Sequence, residues 1–152
     1  MLLLTMIIDD ATYGLDAQRV IEVIPLVQLR QVPRVDPCIR GIFNYRGTPV
    51  PVVDLCTFFN KQPCRKNLGS RIILIQIQMS DSSHKIVGLL AEHVTEVIKC
   101  HSKDFTSNGI SASNAPFLHS IYQHDSGMIQ IINAEKVIPD SITQQFSSQE
   151  FS

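Results

Sequence analysis

The sequence lacks tryptophan, long apolar runs and any strong excess of one charge. A membrane-spanning helix needs about 20 consecutive apolar residues, whereas the apolar start at residues 2–8 is ended by Asp9 and Asp10. The same start carries no basic residues, so it does not resemble a signal peptide. These absences argue against membrane insertion, and we expect a soluble protein of the cytoplasm.

The balance of charges excludes a further class of function. Thirteen basic and fourteen acidic residues leave a formal net charge of −1, which is unlike the broad positive surface of a general nucleic-acid binder. The basic cluster of Lys61, Arg65 and Lys66 is flanked by Asn and Gly, and we interpret it as a solvated loop. We therefore expect no nucleic-acid partner.

Motifs that hold metals, cofactors or substrates are also missing. The sequence has no GxSxG, P-loop, dinucleotide-binding or HExxH motif, and its cysteines and histidines lack the spacing of zinc sites. None of its cysteines forms a CxxC pair: Cys38, Cys56, Cys64 and Cys100. We expect buried, reduced thiols without a disulfide framework, and we expect no metal and no cofactor. Spacing alone does not exclude an enzyme with a nucleophilic side chain.

The chain does contain a series of short β-type segments separated by turns. Apolar alternation is clearest in RIILIQIQM, residues 71–79. Strands are predicted at residues 2–8, 13–16, 50–55, 71–79, 85–91, 94–98 and 128–133, with short helical turns at 55–60 and 134–138. Because βαβ alternation is absent, this pattern predicts one mostly β domain built as a barrel or a sandwich.

Other segments are less regular. Residues 17–24 fit a short helix or a strand, and periodicity does not decide between them. Residues 32–36 are predicted to be irregular because a proline follows both Val32 and Asp36. Residues 101–127 form a long polar stretch with an apolar patch at 117–122, and loops of this length are usually functional or mobile. The folded domain is predicted over residues 1–139, and the Ser/Gln-rich residues 140–152 are predicted to be a flexible tail.

The segment GIFNYRGTPVPVVDL, from Gly41 to Leu55, concentrates unusual residues. Asp54 ends its apolar strand and fits two roles, a catalytic acid or a cap that accepts hydrogen bonds from the backbone of the next turn; we favour the cap. Gly47 supplies a turn with positive φ, and Pro49 and Pro51 stiffen the strand entry, which therefore belongs at an edge or a bulge. Arg46 on this turn is either a preorganised recognition residue or an ordinary solvated arginine, and the residues alone leave both open.

The same segment resembles the signature of CheW-like domains, approximately G-x-x-N-x-R-G-x-x-x-P-V-x-D-L. The matching residues are Gly41, Asn44, Arg46, Gly47, Pro51, Val52, Asp54 and Leu55. Upstream, YGLDAQRVIEVI is similar to a second family block through Tyr13, Leu15, Asp16, Val20 and Glu22, and downstream KIVGLLAEHVTEVI resembles a third through Val87, Gly88, Val94, Glu96 and Val97. The three blocks occur in the family's order over residues 2–138.

This resemblance implies a fold and a role. The fold is two interlocked five-stranded SH3-like barrels that share a core, with short helical turns. The role is a non-enzymatic adaptor that couples the cytoplasmic tip of a methyl-accepting chemoreceptor to the regulatory domain of a CheA-type histidine autokinase, at membrane-associated receptor arrays.

By resemblance, Val20, Glu22 and Arg46 occupy positions of partner contact, and we expect Glu22 and Arg46 to lie close together on the surface. Tyr45 is a further candidate contact, as are Ile42 and Phe43, although burial in the core is the simpler reading for the last two. Among the matching residues, those with a structural role in the turn or at the strand end are Gly41, Asn44, Gly47, Pro51 and Asp54.

Two alternatives and several departures from the family pattern remain. An enzyme that uses Asp54 with a nearby histidine requires a deep pocket, and a small-molecule sensor requires an apolar cavity between the barrels. The family's Leu-x-Gly-x-(Gly/Ala) element reads Leu118-His119-Ser120-Ile121 here, without glycine. The short flanks point to a single-domain coupler, and the FNYRG, APFL and DSGM segments resemble the accessory coupler of Wsp-type surface-sensing pathways.

Overall fold

The computed structural model describes residues 1–110, 118–124 and 127–144, apart from the side chain of His119. Eleven strands lie in the described residues: β1 Leu2–Ile8, β2 Ala11–Asp16, β3 Val20–Pro25, β4 Ile39–Tyr45, β5 Thr48–Asp54, β6 Arg71–Gln78, β7 His84–Ala91, β8 His93–Lys99, β9 Phe105–Thr106, β10 Leu118–His124 and β11 Gly127–Ile132. The helices in these residues are α1 Leu55–Asn60 and α2 Asp140–Thr143, and short 3₁₀ turns occur at Ala17–Arg19, Ser102–Asp104 and Ala134–Lys136. None of these helices is long and apolar enough to cross a membrane.

The strands form two sheets whose membership does not follow chain order. One sheet has five strands in the order β3-β6-β7-β5-β4, and the other has six in the order β8-β1-β2-β11-β10-β9. The N-terminal hairpin β1–β2 therefore lies among the C-terminal strands, where β2 runs parallel to β11. This exchange of the first hairpin produces the interlocked, mostly β, SH3-like architecture that the family resemblance implies, with six strands in place of the expected five in one sheet.

The two sheets share one hydrophobic core. β1 alternates its side chains between faces: Leu4, Met6 and Ile8 pack into a cluster with residues of the five-stranded sheet, whereas Leu3 joins a smaller cluster that contains Tyr122. The strands β6 and β7 supply much of the shared core, because Ile72, Ile73, Leu74, Ile75, Leu89 and Leu90 have no exposed side-chain surface. The continuity of this cluster makes the two sheets one packed unit.

Several boundaries differ from the sequence prediction. The ambiguous residues 17–24 form a 3₁₀ turn followed by strand β3, and the predicted loop at 101–127 contains β9 and β10. The pairing of β10 with β11 shifts register between Leu118 and Ile121, at the segment that lacks the family's glycine. α2 continues the fold beyond residue 139, since Ile142 is only 4% exposed and packs into the shared core. Residues 145–152 of the predicted tail at 140–152 and the loop segments 111–117 and 125–126 lie outside the described residues.

Candidate functional site

The β4–β5 hairpin presents Arg46 on a two-residue turn. Tyr45 pairs with Thr48, and the turn residues Arg46 and Gly47 have φ of 52° and 87°. Positive φ at both central positions is the mark of a type I′ turn, whose twist matches that of the flanking strands. The side-chain oxygen of Asn44 accepts a hydrogen bond from the backbone N–H of Gly47 at 2.8 Å. The turn is therefore fixed by its own residues.

The two prolines stiffen the strand that follows the turn. Pro49 pairs opposite Asn44 and Pro51 opposite Ile42, while β7 joins the other side of β5 only from Val52 onward. The first half of β5 thus has a strand partner on one side only, which is where residues without an N–H donor are tolerated. β5 as a whole lies inside its sheet, so the predicted edge character applies to this half alone.

A charged cluster joins the hairpin to β3. The hydroxyl of Tyr45 donates to Glu22 Oε2 at 2.8 Å, and Nη2 of Arg46 lies 3.5 Å from Glu22 Oε1. Glu22 lies on the same face of β3 as Val20 and Ile24, which pack against the shared core. The acid therefore lies on the inner face of an edge strand, and the hairpin satisfies its charge. The expected proximity of Glu22 and Arg46 is confirmed.

The cluster is accessible from solvent. The side chain of Arg46 is 75% exposed and that of Glu22 is 35% exposed. The guanidinium carbon of Arg46 lies 5.1 Å from the centroid of the Tyr45 ring, within the range of a cation–π contact. The hydrogen bond to Glu22 raises the pKa of the Tyr45 phenol above its usual value. Arg46, Glu22 and the Tyr45 hydroxyl can pair with charged groups on a partner, whereas Val20 and the Tyr45 ring pack against the shared core.

Gly41 allows the hairpin to close against the chain that follows β3. A Cβ built on Gly41 would lie 2.6 Å from the carbonyl oxygen of Arg30 and 2.9 Å from the side chain of Leu29. Arg30 and Ile42 exchange backbone hydrogen bonds of 2.8 Å, so the two backbones pass in direct contact. Only glycine fits such a close approach without displacement.

Asp54 is buried and fully engaged. It is 1% exposed, and Oδ1 accepts from the backbone N–H of Thr57 at 3.1 Å, as the N-cap of α1. Oδ2 accepts from Arg40 Nη1 at 2.6 Å and from the backbone N–H of Cys64 at 2.9 Å. A carboxylate that holds three donors away from solvent is a structural anchor, so the catalytic alternative is disfavoured by the geometry.

The cysteine prediction is wrong for one pair. Cys56 and Cys64 are joined in a disulfide, whereas Cys38 and Cys100 carry free thiols. Sequence spacing gave no signal for this pair, because the helical turn α1 and the loop after it bring together residues that are eight positions apart. With Asp54, the two sulfurs form one group of potential metal ligands within 4.8 Å among the described residues, but both carboxylate oxygens are already occupied by the donors above.

β3 carries an exposed row of apolar residues, which the sequence did not predict. Ile21 and Val23 are 46% and 37% exposed and alternate with the inward residues of the strand. The alternation in VIEVI could have located this row once the segment was taken as a strand. Apolar residues on an exposed edge strand commonly mark contact with another protein.

Comparisons with known proteins give consistent matches. The family model described as "CheW-like domain" matches residues 2–141. A "Chemotaxis protein CheW" of Treponema pallidum is 20% identical over 96% of this chain and 86% of its own length. One of the same name from Bacillus subtilis is 23% identical over 93% of this chain and 89% of its own. A solved structure titled scaffolding protein TtCheW, from Thermoanaerobacter tengcongensis, has a TM-score of 0.78 at 27% identity, covering 91% of this chain and 87% of that one.

Proposed function

Because the chain belongs to the CheW-like domain family, we propose that it is a chemotaxis coupling scaffold that joins a chemoreceptor tip to the regulatory domain of a CheA-type histidine autokinase. Support comes from relatives named chemotaxis proteins and from a solved relative titled a scaffolding protein. The protein acts through its surfaces without catalysis or a cofactor, in the cytoplasm beside membrane-associated receptor arrays.

The observation that carries the proposal is the fixed presentation of Arg46. A guanidinium on a hydrogen-bonded type I′ turn loses little conformational freedom when it pairs with a partner carboxylate. Its contact with Glu22 is long, at 3.5 Å, and exposed, and such pairs contribute little to folding stability. The Glu22–Arg46 pair is therefore available to set the register of a partner, with Tyr45 beside it and Val20 supporting the strand.

The two alternative functions find less support. An enzyme based on Asp54 would need access to a carboxylate that is 1% exposed. A sensor would need an apolar cavity between the sheets. A cavity of about 920 Å³ is lined by the six-stranded sheet and the segment after β8, including Cys100, Phe105 and Ile131. The cavity of about 350 Å³ at the junction of the sheets has polar and charged lining residues, among them Asn60, Gln62 and Glu92. The Wsp-type resemblance stays a prediction, because most of APFL and half of DSGM lie outside the described residues.

Co-sedimentation with receptor fragments and kinase tests the proposal. The full chain is mixed with membranes or vesicles that carry a receptor cytoplasmic fragment and with a CheA-type kinase, and the pelleted fractions and kinase activity are measured. Arg46→Glu places two acids side by side at residues 22 and 46, so we expect at least a tenfold loss of co-sedimentation with one of the two partners and a nearly unchanged Tm.

Lys103→Glu is the matched control, because it makes the same change of charge at an exposed residue in the 3₁₀ turn after β8. It should co-sediment like the wild type. Equal binding by wild type and Arg46→Glu would remove Arg46 from the interface. If the wild-type chain bound neither partner and left kinase activity unchanged, the coupling function itself would be rejected.

A further inference from the structure

The Cys56–Cys64 disulfide lies where the chain passes between the two sheets. Cys56 is in the first turn of α1, and Cys64 is in the loop that follows; their Cα atoms are 5.1 Å apart. The two residues are 6% and 3% exposed. The loop residues 61–66 are called the 61–66 segment below.

The 61–66 segment is tied to both sides of this junction. The backbone N–H of Cys64 donates to Asp54, at the end of β5 in the five-stranded sheet. The backbone N–H of Arg65 donates to Glu92 Oε1 at 2.6 Å, and Glu92 is the single residue between β7 of one sheet and β8 of the other. The disulfide thus links α1 to a segment that holds the crossing point of the chain.

α1 also reaches the six-stranded sheet. The ring of Phe59 stacks on that of Tyr13 in β2, with centroids 4.8 Å apart. The helix therefore continues from β5 of one sheet and packs on β2 of the other, and the disulfide ties the 61–66 segment to this helix. Breaking the bond would leave the 61–66 segment held to the rest of the fold only by non-covalent contacts such as its hydrogen bonds to Asp54 and Glu92, while the strand ladders of both sheets stay intact.

One sulfur has a route from solvent. Cys56 lines a cavity of about 350 Å³ together with Gln62, Pro63 and Arg65, and the Arg65 side chain is 82% exposed. A small thiolate can approach Cys56 through this cavity, whose charged lining residues are Arg65, Asp9 and Glu92. Once released, Cys64 Sγ has an acceptor at hand, since it lies 3.5 Å from the carbonyl oxygen of Leu90.

We propose that Cys56–Cys64 is a thiol–disulfide exchange site that reacts with small dithiols and thereby controls the attachment of the 61–66 segment at the junction of the sheets. A thiolate of the dithiol bonds to Cys56 Sγ, and Cys64 Sγ leaves as a thiolate that takes a proton. The second thiol of the reagent, losing its proton, then displaces Cys56 Sγ, which is protonated in turn, and the reagent closes its own disulfide. Two electrons pass from the dithiol to the cysteine pair.

Thiol counting tests the chemistry on the full chain. Protein equilibrated with oxidised dithiothreitol is alkylated under denaturing conditions and weighed; the free cysteines predict two labels, and prior reduction under native conditions raises the count to four. In the Cys38→Ser/Cys100→Ser control the counts are zero and two, because only the Cys56–Cys64 pair remains. Four labels after oxidation, or resistance of the bond to native reduction, would overturn the proposal, as would stoichiometric zinc on Asp54 and the two sulfurs in place of the bond.

Hydrogen exchange tests the structural consequence without any variant at the pair. Reduction of the wild type should speed amide exchange about tenfold or more in residues 57–66, while β6 stays protected. The Tm should fall by roughly 5–10 °C, as expected for opening a loop of this length in a chain of this size. The Cys38→Ser/Cys100→Ser control should show the same two changes. Unchanged exchange in residues 57–66 after complete reduction would overturn the proposed control of the segment.

Discussion

Replacing Asp54 by alanine should strongly destabilise the protein. The change removes the N-cap of α1, which costs about 1 kcal/mol, and leaves the buried N–H of Cys64 without an acceptor, which costs about 1–3 kcal/mol. Arg40 also loses the Asp54 carboxylate as its ion-pair partner, but its side chain is 28% exposed, so water can partly solvate the guanidinium. We expect a loss of about 3 kcal/mol in the free energy of unfolding, or roughly 6–12 °C in Tm, measured by urea and thermal unfolding.

Two further variants, one at Asp54 and one at Asp16, test the same prediction. Asp54→Asn keeps one carbonyl acceptor but loses the charge, so its loss should fall between those of the wild type and the alanine variant. Asp16→Ala is the matched control, because Asp16 caps a 3₁₀ turn with a single exposed hydrogen bond of 3.0 Å from Gln18, and it should cost about 1 kcal/mol or less. An Asp54→Ala chain within about 1 kcal/mol of the wild type would refute the reasoning that the three donors depend on this carboxylate.

Further predictions concern the hairpin. Gly41→Ala should lose about 1–3 kcal/mol of unfolding free energy in urea, because its Cβ would lie 2.6 Å from a backbone oxygen. Gly109→Ala is the control for the cost of positive φ alone, because Gly109 has φ 80° and its added Cβ would have no atom of the described residues within 4 Å. It should lose less. The raised pKa of Tyr45 predicts that the phenol ionises at lower pH in Glu22→Gln than in the wild type, as followed by ultraviolet titration with Tyr45→Phe as the blank. Since the pKa of Tyr45 is raised on folding, the stabilisation by this hydrogen bond is fully present below the pKa of the unfolded state and is lost as the pH rises through the pKa of the folded state. Identical titrations of wild type and Glu22→Gln would contradict the assignment of this pKa shift to Glu22.

Much of the fold was predictable because its signals are local. The alternation of RIILIQIQM and the cap at Asp54 each depend on a few neighbouring residues, and the structure has β6 and α1 in those places. Strand β10 is not predicted by the sequence, because its apolar residues Leu118, Ile121 and Tyr122 do not follow the two-residue period of a strand. The placement of β1–β2 with the C-terminal strands depends on contacts far apart in sequence, which no local pattern encodes.

The candidate site also has some features that the sequence predicts and others that it does not. The turn chemistry of Asn44, Arg46 and Gly47 follows from residue type alone, whereas the contact of Glu22 with Tyr45 needs β3 and β4 to approach across the sheet. The resemblance supplied the expectation that Glu22 and Arg46 are neighbours. Neither a sequence pattern nor the resemblance predicted the disulfide or the Arg40–Asp54 pair, since both arise from the path of the chain around α1.

The exchanged hairpin has a consequence for how the chain folds during synthesis. β1 pairs with β8, so Leu3 must wait for Ile98, and β2 must wait for β11, where Tyr13 meets Gln130. All strands of the five-stranded sheet, β3 to β7, have been made once residue 91 has left the ribosome, while the apolar first strand still lacks its partner β8. Such late, non-local pairing slows folding and exposes an aggregation-prone strand. Residues 1–16 are thus made before the strands that they pair with, and the emerging chain depends on β8 and β11 to cover β1 and β2.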